Sequence, residues 1–82
     1  MRVSAAREYR RRVRRTRVES TAIESVGYDA GTAVLEVEFT SGEVYRYFAV
    51  PPSVHHALLE AGSPGHYFSE NVRDVYPTEH VR

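Results

Sequence analysis

Two runs of alternating apolar and polar residues, separated by three turn-forming residues, constrain this chain more than any other feature. The first run is TAVLEVEF at positions 32–39, and the second is EVYRYFAV at positions 43–50. Side chains of a β-strand point alternately to its two faces, so a period of two is typical of a strand with one buried face. Gly and Ser in the intervening TSG are typical of a turn. The pattern therefore predicts an antiparallel β-hairpin.

The length of the turn decides which side chains face each other across this hairpin. A two-residue loop needs positive φ at a serine, which is unfavourable, whereas a three-residue loop places Gly42 at the left-handed position. The three-residue loop sets Glu36 opposite Arg46. It also places Tyr45 and Tyr47 on the apolar face, where they are mainly structural. The two-residue loop would instead bury Arg46, because a shift of one residue reverses every side chain. We therefore predict the three-residue loop.

Three further segments complete the predicted fold. STAIESVGYD at 20–29 alternates and predicts a first strand. PPSVHHALLEAG at 51–62 predicts a helix, with proline in the first turn and glycine at the C-terminal cap. SPGHYF at 63–68 is predicted as a loop, and ENVRDVY at 70–76 as a short second helix capped by Ser69. The order β-β-β-α-α predicts an α+β domain, with a three-stranded antiparallel sheet and two short helices on one face.

Charge is divided unevenly along a chain whose formal net charge is zero. Residues 1–17 contain eight of the eleven arginines and a single acid, Glu8, so the remainder is acidic. Residues 1–19 are charged almost all round, which predicts a flexible or transiently helical arm. The predicted division is an arm at 1–19, a domain at 20–79 and a tail at 80–82. A basic arm of this kind favours a polyanionic partner.

Arginine is suited to phosphate because its planar guanidinium donates two parallel hydrogen bonds. The residues predicted to contact nucleic acid are Arg10, Arg11, Arg12, Arg14, Arg15, Arg17, Arg46 and Arg73. Tyr45, Tyr47 and Phe48 are candidate aromatic contacts, because bases stack on aromatic side chains. Against this, the pattern favours the tyrosines as core residues beside a surface ion pair. The arm could also be a solvated tail, or could fold back on its own acidic domain.

Several kinds of chemistry find no support in the sequence. Cysteine is absent, so no disulfide or thiolate chemistry is expected. His55 and His56 are adjacent on the predicted helix and point about 100° apart, so they are poorly placed to share a metal ion. Neither an HExxH motif nor a nucleophile elbow occurs. We expect no metal site, no cofactor and no catalytic residue, and therefore a protein that is not an enzyme.

The sequence also indicates the compartment in which the protein is expected. No apolar run approaches the ~20 residues of a membrane span. The arginine-rich start has no apolar core of a secretory signal. We therefore expect a cytoplasmic protein that does not contact a membrane.

A combination of short motifs resembles one known family. The motifs are VGYD at 26–29, LEVEF followed by VYRY and VP at 35–51, and LLEAGSPGHYF at 58–68. Together they resemble the KTSC domain, a short bacterial domain found alone and at the C-terminus of some lysyl-tRNA synthetases. The resemblance covers about residues 18–79, and the family's hallmark Tyr-x-Tyr is Tyr45-Arg46-Tyr47 here. Association with a tRNA enzyme implies RNA as a partner.

This sequence departs from the family in two places. The arginine-rich arm precedes the usual start of the domain. Pro64 occupies a position where a basic residue is commoner in the family, so one cation of the family is missing here. The departure at Pro64 weakens the case for a basic surface at that loop.

These observations lead to three hypotheses. The first is a small non-enzymatic RNA- or DNA-binding accessory protein that uses its arginine-rich arm. The alternative is a protein-interaction module, encoded by a phage or mobile element, that docks on a larger enzyme through Val34, Phe48 and acidic residues. The third is a weak homodimer formed through an exposed edge of the sheet.

Overall fold

The computed structural model describes residues 13–82, which form an antiparallel sheet with two helices packed on one face. The elements are β1 (Arg15–Arg17), β2 (Ile23–Asp29), β3 (Val34–Phe39), β4 (Val44–Tyr47), α1 (Pro52–Glu60), α2 (Pro64–Asn71) and β5 (Thr78–His80). The predicted α+β class is confirmed. The predicted phosphate contacts Arg10, Arg11 and Arg12 lie outside the described residues.

The sheet has five strands in the order β1-β2-β3-β4-β5, so the prediction of three strands is wrong. The two additional strands are the edges, RTR in β1 and TEH in β5. Each is three residues long and without an apolar residue, so neither can show the alternation that identifies a strand. They are held by backbone pairing with one neighbour each, Arg15 to Arg17 with β2 and Thr78 to His80 with β4.

The central hairpin has the predicted register. Glu36 lies opposite Arg46, and Val37 lies opposite Tyr45. The Phe39 N–H donates to the Glu43 carbonyl at 2.8 Å, which closes the three-residue loop. Gly42 has φ of +99°, the left-handed conformation that the loop requires.

The second helix begins earlier than the sequence pattern predicts. It starts at Pro64, so the segment predicted as a loop is mostly helical, and it ends at Asn71. The Ser63 hydroxyl accepts a hydrogen bond from the His66 N–H at 3.3 Å. A serine cap followed by proline in the first turn is a stronger start signal than the cap predicted at Ser69.

The core lies between the sheet and the two helices. Its buried members are Ile23, Val26, Leu35, Val37, Tyr47, Val50, Leu58, Phe68 and Val72. On the opposite face of the sheet, Val34 is only 2% exposed. The predicted role of Val34 in an exposed contact surface is therefore wrong. Within residues 13–82, no helix is both long and apolar enough to cross a membrane.

Candidate nucleic-acid interface

An open groove of about 640 Å³ runs beside β4, on the face of the sheet that carries the helices. Three aromatic side chains, Phe39, Tyr45 and Tyr47, line it. The other lining residues are Thr21, Ala22, Thr40, Ser41, Glu43, Arg73, Asp74 and Thr78. Sites for small organic ligands are typically 300–1,000 Å³ in volume and combine apolar walls with a few polar groups. The groove has that size and that composition.

The aromatic side chains are placed by the strands. Tyr45 and Tyr47 are two residues apart on β4, so they share a face, and their ring centroids are 6.5 Å apart. The Phe39 ring meets Tyr45 edge-on at 5.7 Å. Phe68 of α2 meets Tyr47 edge-on at 5.4 Å and so holds it from the helical side. These contacts give the groove an aromatic floor that is fixed before any ligand binds.

Arg73 follows α2 and places a cation at the groove. Its guanidinium carbon lies 5.5 Å from the centroid of the Phe68 ring, a cation–π contact. Within residues 13–82, Arg73 forms no ion pair with a carboxylate, whereas Arg15, Arg17 and Arg46 of the sheet each do. Its charge is therefore available to an anionic ligand.

Tyr47 connects this cation to the floor of the groove. Burial raises the pKa of the Tyr47 hydroxyl to about 12, while the positive charge of Arg73 opposes that rise and the negative charge of Asp74 adds to it. Arg73 and Asp74 therefore both influence the electrostatics at the Tyr47 end of the groove. Glu43 lies at the turn end, about 13 Å away along the strand at ~3.3 Å per residue. The Tyr47 hydroxyl keeps its proton at neutral pH and can donate a hydrogen bond.

Three of the predicted arginines are engaged in ion pairs outside the groove. Arg46 Nε lies 3.1 Å from Glu36 Oε1, and Arg15 Nη1 lies 3.4 Å from Glu36 Oε2. Arg17 Nη1 lies 2.7 Å from Glu24 Oε2. Arg46 faces away from Tyr45 and Tyr47, because alternate residues of β4 point to opposite faces.

The remaining predicted residues are spread over the domain. Arg14 is exposed and precedes β1. Phe48 follows β4, is half-buried and does not line the groove, and its N–H donates to the Pro77 carbonyl at 2.9 Å. The structure thus joins Arg73 to Tyr45 and Tyr47, but leaves Arg46 and Phe48 apart from them.

Apart from Arg73, the polar residues of the groove were not predicted from the sequence. Asp74, Thr78 and Thr21 come from three separate segments and meet only because of the tertiary fold. The one local signal was the position of Asp74 shortly before Pro77, since Asp is common where a chain turns. No group of three or more potential metal ligands occurs among residues 13–82.

The fold and the groove define a small α+β domain, and comparison with known proteins identifies its family. The profile of the KTSC domain matches residues 19–76. A crystal structure of a KTSC domain protein from Yersinia pestis shares the fold with a TM-score of 0.83 and 28% identity, over 87% of this chain and 100% of that one. The chain therefore belongs to the KTSC domain family, which confirms the resemblance drawn from its motifs.

Similar proteins fall into two kinds. A protein of Stutzerimonas stutzeri is 46% identical over 70 residues, covering 85% of this chain and 93% of the relative. A lysine–tRNA ligase of Nostoc punctiforme is 38% identical over 63 residues, covering 77% of this chain but only 11% of the ligase. The domain thus occurs both in short proteins and within a much longer tRNA ligase.

Proposed function

We propose that this chain is a non-enzymatic RNA-binding accessory module, and that its groove holds an unpaired nucleotide. The observation that carries the proposal is the position of Arg73, a cation without an ion pair among residues 13–82, beside an aromatic floor. Proteins that bind single-stranded RNA combine these two elements, a cation for the phosphate and aromatic side chains against which bases stack.

The shape of the groove agrees with a nucleotide as its ligand. In this proposal the base lies in the groove against Phe39 and the side of the Tyr45 ring that His80 does not cover. Threonine and serine hydroxyls at the rim both donate and accept hydrogen bonds, so they suit the polar edge of a base. The phosphate of the same nucleotide then lies at Arg73, where the neutral Tyr47 hydroxyl is a second donor.

Two further observations support RNA as the partner. Relatives of this domain form part of proteins named lysine–tRNA ligases. Eight arginines in residues 1–17 also supply a long-range attraction to a polyanion. In this proposal the arginine-rich segment contributes affinity that does not depend on sequence, and the groove selects unpaired nucleotides.

Fluorescence anisotropy with the full chain tests the proposal. The labelled ligands are an unstructured single-stranded RNA, a tRNA and a duplex DNA, each measured across a salt series. If about five arginines neutralise phosphates, log K falls with log salt at a slope of about −3.5 to −4.5. The duplex is expected to bind with a similar slope but more weakly, because its bases are not free to enter the groove.

Arg73→Gln separates the groove from general electrostatics. Loss of a charged hydrogen bond to phosphate corresponds to about 10- to 100-fold weaker binding of single-stranded RNA. The matched control is Arg82→Gln, because Arg82 is also exposed and lies near Glu38, away from the groove. Equal effects of the two variants, or no binding of RNA at low salt, would contradict the proposal. Binding of a protein partner that resists nuclease would then favour the protein-interaction alternative.

A further inference from the structure

The groove contains a carboxylate at a place where a simple phosphate site would exclude one. Asp74 is adjacent to Arg73, lines the groove and is exposed. Because Asp74 directly follows Arg73 and both line the groove, the carboxylate lies at the end of the groove that we assign to the phosphate. A carboxylate repels phosphate and only accepts hydrogen bonds. A ligand that binds beside this carboxylate should therefore offer it a hydrogen-bond donor.

The backbone at Asp74 is also unusual. Asp74 has φ of +63°, a left-handed conformation that non-glycine residues rarely adopt. Within the described part of the chain, the other non-glycine residues with positive φ are Ala33 and Ala49. The Ala33 carbonyl accepts a hydrogen bond from the N–H of Val50, the residue after Ala49, at 2.9 Å, so both positive-φ alanines adjoin one contact between loops. Asp74 alone of the three lines the groove.

The donors that RNA offers beside its phosphate are ribose hydroxyl groups. A carboxylate that accepts the ribose 2′-hydroxyl is a recurring device of nucleotide sites in other folds. The 2′-hydroxyl is also the group by which a protein distinguishes RNA from DNA. Adjacent side chains that carry opposite charges match a nucleotide, since its phosphate is an acceptor and its neighbouring 2′-hydroxyl is a donor.

We propose that Asp74 accepts the ribose 2′-hydroxyl of the nucleotide whose phosphate lies at Arg73, and that the groove thereby selects RNA over DNA. This inference rests on the proposed function. It adds that a single residue determines the sugar specificity of the groove. The carboxylate weakens binding of a nucleotide that lacks the hydroxyl, because its repulsion of the phosphate is then not offset.

The test compares four single strands of one sequence on the full chain: RNA, DNA, 2′-O-methyl RNA and 2′-fluoro RNA. The 2′-fluoro strand keeps the sugar pucker of RNA but cannot donate a hydrogen bond at the 2′ position. A hydrogen bond to a charged acceptor corresponds to about 10- to 100-fold in affinity. We expect RNA to bind more tightly than the other three strands by a factor in that range.

Two variants assign the preference to the carboxylate. Asp74→Gly removes the acceptor and adopts positive φ without strain, so it should fold normally and bind RNA and 2′-fluoro RNA equally. Asp74→Asn keeps an acceptor without the charge and tolerates the same backbone conformation, so it should retain a reduced preference. Thermal unfolding of each variant checks that the fold is intact.

The outcomes separate the two proposals. Equal binding of RNA and 2′-fluoro RNA by the unaltered protein would overturn the role of Asp74, while leaving RNA binding intact. A preference for RNA that persists in Asp74→Gly would overturn it as well. Failure of all four strands to bind would overturn the proposed function and this inference together.

Discussion

The ring of Tyr45 lies parallel to the imidazole of His80, with ring centroids 4.4 Å apart and planes inclined by 11°. This contact joins the last strand to the central hairpin at the floor of the groove, because Tyr45 and His80 are direct partners in the β4–β5 pairing. The edge strand is therefore held by an aromatic contact as well as by backbone hydrogen bonds.

We expect His80→Ala to lower the free energy of unfolding by about 0.5–1.5 kcal/mol, the usual contribution of an aromatic pair beyond its buried area. Urea unfolding measures the loss. His66→Ala is the control, because His66 is exposed on α2 and its Nε2 lies 3.4 Å from Glu70 Oε2. A loss no larger than that of the control would show that the Tyr45–His80 contact does not hold β5.

Gly27 allows β1 to approach the sheet closely. A Cβ atom at this position would lie 2.5 Å from Val13 Cγ1 and 2.6 Å from the Arg14 carbonyl oxygen, both impossibly short. We expect Gly27→Ala to displace β1 and to destabilise the domain by about 1–3 kcal/mol, the usual cost of overpacking. Hydrogen exchange should show faster exchange of the β1 amides.

Gly62→Ala provides the comparison for that variant, because a Cβ atom there meets nothing within 4 Å. We expect it to leave both stability and exchange in β1 nearly unchanged. Normal protection of β1 in Gly27→Ala would contradict the close packing described here.

Glu36 bridges two arginines on the side of the sheet opposite the groove. It is 7% exposed and lies near both Arg15 and Arg46. We expect Glu36→Gln to cost about 1.5–3 kcal/mol, because it removes the charged acceptor that two partly buried guanidinium groups share. Glu24→Gln removes the exposed pair with Arg17 and should cost only about 0–1 kcal/mol. Chemical denaturation of both variants checks the difference, and equal losses would refute it.

The raised pKa of Tyr47 predicts how stability changes in alkali. Folding raises this pKa from 10.0 to about 12, so between these values the folded state keeps a proton that the unfolded state loses. The stabilisation is complete below about pH 10 and declines as the pH rises towards 12. Tyr47→Phe lacks the titrating group, so the wild type should lose stability relative to this variant across that range. If the free energies of unfolding of the wild type and Tyr47→Phe change in parallel with pH across that range, the hydroxyl is not buried as described.

The sequence predicted the hairpin well because its determinants are local. Gly42 fixes the turn, and the turn fixes which residues pair with Glu36 and Tyr45. The start of α2 was misplaced because two serines, Ser63 and Ser69, both qualify as caps, and the tertiary position of Phe68 in the core decides between them.

The edge strands and the groove could not be predicted in the same way. β1 and β5 have no alternation of apolar and polar residues. Each is held mainly by backbone pairing with its one neighbouring strand, which leaves no pattern in the sequence. Arg73 and Asp74 lie near Tyr47 because the segment after α2 returns to the sheet. The spacing of these residues along the chain does not predict that they are close in space. The sequence therefore pointed to Tyr45, Tyr47 and Arg73 as separate candidates, but not to Phe39, Asp74 and Thr78, nor to the groove that joins them.

The strand order has a consequence for how the groove is assembled. The first four strands pair in sequence through short connections, so they can form early from local contacts. β5 pairs with β4 only after both helices have been placed between them in the chain. Thr78 therefore completes the groove in a late step of folding, and weakening the β4–β5 contact should accelerate unfolding more than it slows folding. The half-life of the intact groove is then set by the release of one three-residue strand, and it can be shorter than the half-life of the folded domain.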